Sequence, residues 1–160
     1  MKFDLVLREL HRSEHDLGTM LMHASDRHTT DHEIHHTGRE LATWCRRHLR
    51  EIAEIGTEFD LDLDPEPSLD SGPLEALQQE ISRRTGRRSA PALLLLTDLR
   101  EIYVSAAGVS VDWEMLAQAA QGVKRHELLA ATKRCHPDTL RQMTWANAML
   151  KASSTQILVS

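Results

Sequence analysis

Two carboxylates and two imidazoles, Glu14, Asp112, His48 and His136, fall where leucines are expected on four amphipathic stretches, one on each. Oxygen and nitrogen donors in such a set suit a divalent cation, with iron, manganese or zinc the best matches to mixed ligation. His11, one helical turn before Glu14, comes level with His48 and joins the candidate ligands. Cys45, one turn from His48, would turn the choice toward zinc if it took part. The competing reading is a hydrogen-bonded polar core that fixes helix register without an ion. Either way the groups need partners, because an isolated buried acid or imidazole is strongly unfavourable.

The elements that must position them follow from apolar periodicity. The first seam runs Phe3, Leu7, Leu10, Glu14, Leu17, Leu21, Ala24, predicting a helix over about residues 2–28. Thr30 with Glu33 has the spacing of a capping box and opens a second helix, to about residue 59, on Ile34, Leu41, Cys45, His48, Ile52, Ile55 and Phe59. The stretch Asp60 to Pro73 breaks every helical pattern with prolines and clustered acids, and a short helix from Pro73 to about Arg84 follows. Ser89 and Pro91 open a third long helix to about Gln121, with a kink expected near Gly108. A fourth runs from about Lys124 to Lys151, with a kink expected beside Pro137 and a loosely ordered tail over 152–160. The fold class expected is all-α: one four-helix-bundle domain over residues 1–151.

Tight turns at Thr29 and Gly122 make helices one and two, and three and four, antiparallel hairpins. The connection between helices two and three is far longer than neighbouring antiparallel helices need. If it crosses the length of the bundle, the four polar residues meet in one layer about 15–18 Å from one end. Helix three is then parallel to helix two, and the short helix lies on the bundle through Leu74, Leu77 and Ile81.

On these features the chain resembles the ferritin-like superfamily, whose carboxylate members place a Glu on each of two helices and Glu-x-x-His on each of the other two. Glu14 matches the first-helix glutamate and Asp112 the third-helix acid. Glu33-Ile34-His35-His36 has the Glu-x-x-His form but starts at the capping box, and Lys133 stands where the fourth helix would carry its glutamate before His136. The chain is also similar to the hemerythrin-like family through His36-Thr-Gly-Arg-Glu40 and His15, although helix three holds no histidine. Both resemblances imply a fold; with redox-active iron or manganese, they would imply oxygen or peroxide chemistry.

Other constellations read more simply. His23, His28, His32, His35 and His36 cluster at one bundle end, with His32 and His36 spaced to share a cation, beside the plainer reading of a solvated end. The acidic run Asp60, Asp62, Asp64, Glu66 lacks the glycine and closing glutamate of a calcium loop. Arg83, Arg84, Arg87 and Arg88 form a basic turn that could meet phosphates or an acidic partner. The net charge of −5 argues against a nucleic-acid surface over the whole molecule. Two cysteines inside helices, no membrane-length apolar run and an amphipathic start lead to an expectation of a soluble cytoplasmic protein. No nucleophile–base pair or phosphate loop appears. The expected function is therefore a bundle with a metal-binding polar centre, or a non-catalytic bundle that is a homo-oligomeric scaffold or partner-binding module.

Overall fold

The computed structural model describes residues 2–70 and 91–160. Among them the secondary structure is helical throughout: α1 (Phe3–Arg27), α2 (His32–Gly56) with a 3₁₀ turn at Thr57–Phe59, α3 (Pro91–Gly122) and α4 (His126–Val159). The short helix expected from Pro73, its face Leu74, Leu77 and Ile81, and the basic turn Arg83 to Arg88 lie outside the described residues. No helix among the described residues is long and apolar enough to cross a membrane.

Local chemistry sets the ends. The cap of α2 is Asp31, not Thr30: its backbone is extended and its side chain accepts the Ile34 N–H at 3.2 Å. Asp31 is the stronger anionic acceptor and lies the required three residues before that N–H. Glu33, assigned to the capping box, instead accepts from Thr37 Oγ1 at 3.0 Å and Trp145 Nε1 at 3.3 Å. The 3₁₀ turn stops at Asp60, whose left-handed φ of 55° suits a short polar side chain. Between α3 and α4 the left-handed residue is Lys124, and Arg125 N–H closes the turn on the Ala120 carbonyl at 2.8 Å. Helix α4 passes the expected end at Lys151 and continues to Val159. No Gly or Pro interrupts residues 152–159, so nothing in the chain breaks the helix there.

Helices pair in a defined order. The contacts place α1 against α2 and α3, and α4 against α3 and α2. Arg27 meets Asp98 while Glu14 meets Trp113, so α3 runs antiparallel to α1. Glu33 meets Trp145, Leu41 meets Gln142 and Glu51 meets Arg134, so α4 runs antiparallel to α2. After the 3₁₀ turn the chain climbs α1: Asp64 carbonyl accepts from His11 Nε2 and Ser68 carbonyl from His15 Nε2, each at 2.7 Å. Leu69 then seals the α1–α2 seam, lying 3.0 Å from where a Cβ on Gly18 would stand. Gly38 lets the same pair approach closely, since a Cβ there would sit 3.2 Å from the Leu21 carbonyl oxygen.

The core is aliphatic. Leu7, Leu10, Leu17 and Leu21 of α1, Leu49 and Ile52 of α2, Val109 and Leu116 of α3, and Leu128 and Ala131 of α4 are all fully buried. Each buried leucine, isoleucine or valine contributes about 1.5–3 kcal/mol relative to exposure. This apolar packing surrounds a polar layer at mid-height.

Candidate functional site

The layer takes one side chain from each helix: Glu14 of α1, His48 of α2, Trp113 of α3 and Asp138 of α4. Glu14 and His48 come from the leucine seams of α1 and α2, and both have no exposed surface. His48 Nδ1 lies 2.8 Å from Glu14 Oε1, and its Nε2 lies 3.1 Å from Asp138 Oδ2. Trp113 Nε1–H donates to the same Glu14 oxygen at 2.8 Å, with its ring edge-on to the imidazole. Arg47 and Arg141 hold Asp138 from the outer side.

Both ring nitrogens of His48 therefore face carboxylate acceptors, the arrangement of an imidazolium donating twice. Burial works against that charge, but the charge and hydrogen bond of Glu14, then those of Asp138, outweigh it and raise His48 above its ordinary pKa. Burial also pushes Asp138 up, and the bonds from His48 and Arg47 overcome it and hold the acid below its usual range. One loose end remains: Glu14 Oε2 is buried with no hydrogen-bond partner among the described residues. Close by, Cys45 is driven well upward by burial and then by the Glu14 charge, so it stays a protonated thiol.

The residues read from the sequence are only partly brought together. Glu14 and His48 meet as a buried pair. Asp112 lies half-buried at the α1–α3 surface and accepts from Ser13 Oγ at 2.8 Å. Burial pushes that carboxyl up against the opposing Ser13 bond. His136 pairs with Ser110 Oγ at 2.8 Å, with Glu114 4.0 Å away. His11 is spent on the Asp64 carbonyl. The core places expected for Asp112 and His136 are taken by their near neighbours Trp113 and Asp138. The buried face of α3 is Ile102, Ala106, Val109, Trp113, Leu116, Ala120, whose alternating steps of three and four select 113 over 112. On α4 the face Leu128, Ala131, Cys135, Asp138, Gln142 carries an acid one turn past the cysteine. That spacing was the available signal for both missed residues.

This donor set does not fit a metal ion. Carboxylates occupy both nitrogens of His48, which leaves it no lone pair for ligation. Among the described residues no group of three or more His, Cys, Asp or Glu side chains is arranged to hold a metal. The histidine-rich end is engaged in local bonds: His28 Nε2 to Asp98 at 2.7 Å, His35 Nδ1 to the Ser25 carbonyl at 2.9 Å, and His32 stacked on His36. Cys135 is likewise pushed up by burial and by its hydrogen bond to Glu51.

Among the described residues, fold and site together define an all-α arrangement of four long helices with an internally bonded polar centre. Comparison with protein-family models, with curated proteins and with solved structures gives no match for this chain.

Proposed function

We propose that this chain is a non-catalytic helical bundle of ferritin-like arrangement, with its long connection crossing the bundle, and that it serves as an assembly or partner-binding module. In this reading Glu14, His48, Trp113 and Asp138 hold four helices in one register, a use to which buried polar groups are put elsewhere. The observation that carries it is the engagement of His48 at both ring nitrogens. A metal-ligating or general-base histidine would keep one ring nitrogen free of carboxylate, and His48 keeps neither.

The iron, manganese or zinc reading keeps one observation in its favour, the unpartnered Glu14 Oε2. Purification without a metal-affinity tag, incubation with each ion and elemental analysis separate the two. The structural reading expects no stoichiometric uptake and a melting temperature unchanged by chelator. Uptake of about one or two ions per chain, with melting lowered by chelation, would overturn it.

A further inference from the structure

Helices α1 and α3 leave an open groove of about 460 Å³ between their outer edges. Its floor is apolar, built from Met20 of α1 and Val104, Gly108 and Val109 of α3. A Cβ on Gly108 would touch nothing within 4 Å, so the middle of the floor stays open. Carboxylates stand on both walls, Glu9 and Asp16 on α1, Glu101 and Asp112 on α3. The eleven residues from Glu101 to Asp112 make the groove about 16 Å long.

Every charge facing the groove bears on its occupant. Arg12 is doubly hydrogen-bonded to Glu9 and cancels it. Asp112 accepts from the Ser13 hydroxyl, a neutral donor, and Asp16 has His15 at 3.8 Å. Among the described residues Glu101 has no ion-pair partner. Arg27 and Asp98 bond one another beyond the end of the groove. The remaining base is Arg100, on the α3 wall. Three acids against one arginine give the groove a negative potential, which its low-dielectric walls focus. A second copy does not satisfy it: α3 on α3 about a two-fold axis near Ala107 sets Glu101 against Asp112, like charge on like. The fit is to a helix with an apolar stripe and bases along both of its edges, the stripe on the floor and the bases on the two walls.

We propose that the α1–α3 groove receives a cationic amphipathic helix of a partner protein, its apolar side chains on Met20 and Val104 and its lysines or arginines on Asp16, Glu101 and Asp112. This names the partner class of the partner-binding reading above and rests on it.

Titration of the full-length, untagged chain with a labelled amphipathic helix of leucine and lysine, read by fluorescence anisotropy, tests this directly. The control is the same helix with every lysine replaced by glutamate. The cationic helix should bind more than about ten-fold tighter than the control, and its affinity should fall as salt rises. Asp16→Lys and Glu101→Lys should each weaken it about ten-fold. Arg100→Glu should tighten it, and Gly108→Trp should block the floor. All four should keep their helix content, because Asp16, Arg100 and Glu101 are exposed and Gly108 has open space beside it. Glu54→Lys, on the α2–α4 face, should leave affinity unchanged. Equal binding of the two helices overturns the proposal, as does indifference to Asp16→Lys and Glu101→Lys, or an equal loss with Glu54→Lys. A tighter complex after Arg83, Arg84, Arg87 and Arg88 are changed to Ser also overturns it, since this chain's own arginines would then compete for the groove. So does a dimer of the chain alone that Gly108→Trp disperses, since a second copy would then be the occupant. A chain that takes up neither the cationic helix nor metal removes this partner and leaves the non-catalytic reading standing; stoichiometric metal uptake removes that reading and the proposal with it.

Discussion

His48 and Trp113 converge on one oxygen of Glu14, each at 2.8 Å, with their rings 85° apart. Three helices are thereby tied to a single atom, and the far nitrogen of His48 ties in the fourth through Asp138. An oxygen shared by a cationic donor and an indole N–H is strongly held, because charge-assisted hydrogen bonds gain strength in a dry interior.

Coupling between Glu14 and His48 follows from that geometry. His48→Leu leaves the buried Glu14 carboxylate without its cation, while Asp138 keeps Arg47 and Arg141, and Glu14→Leu leaves an imidazolium short of one acceptor. Each should lower stability by about 3–5 kcal/mol, the usual result of stripping one partner from a buried pair. The double variant should lose far less than the sum, and could match the wild type. Urea unfolding of the four proteins measures the coupling; additive losses would show that the pair is not one unit.

Acidity should bound stability on both sides. The pKa of His48 is raised in the folded state, so its contribution is complete below the ordinary histidine value of 6.5 and is lost as pH climbs through the folded value. Asp138 is lowered, so its contribution is complete above the ordinary 3.8 and is lost as pH falls through its folded value. Thermal melting should therefore peak between about pH 4 and 6.5, and Glu14→Gln should flatten the alkaline limb by removing the charge facing His48. An alkaline limb untouched by that variant would mean another group titrates there.

Trp113→Phe removes a single donor while keeping an aromatic ring in the core. The loss should be about 1–3 kcal/mol, the range for leaving a buried acceptor unmade, without loss of helix content by circular dichroism. A neutral result would place the Trp113 contribution in packing alone.

Both thiols should be inert in the folded chain. Cys45 and Cys135 are buried, and burial keeps them protonated, whereas thiolates are the reactive form. Reaction with a disulfide reagent should be slow in buffer and complete in denaturant. Rapid modification of the native protein would show that the α2–α4 face opens.

Four amphipathic helices were legible because apolar residues recur at steps of three and four along all of them, and Leu10, Leu17, Leu41, Ile52, Ile102 and Leu116 are core residues in the structure as the seams suggest. The pair Glu14–His48 was legible for the same reason, since both interrupt leucine seams on adjacent helices. Asp112 and His136, the residues expected in the layer, lie one and two positions from Trp113 and Asp138, which occupy it. On α3 periodicity alone admits two neighbouring positions, and the volume of Trp113, which only tertiary packing can accommodate, decides between them. On α4 Pro137 sits inside the helix, and the acid after it, not the histidine before it, turns to the core. Thr30–Glu33 imitates a capping box one residue early, which conceals the Asp31 cap in the sequence.

The protonation of His48 tests the central claim most directly. Side-chain nitrogen NMR on uniformly labelled protein distinguishes a doubly protonated imidazolium from either neutral tautomer. The account predicts two protonated ring nitrogens on His48 near neutral pH, a midpoint above 6.5, and spectra unchanged by added zinc, manganese or iron. A neutral ring at pH 6 with one unprotonated nitrogen, shifting when metal is added, would contradict it.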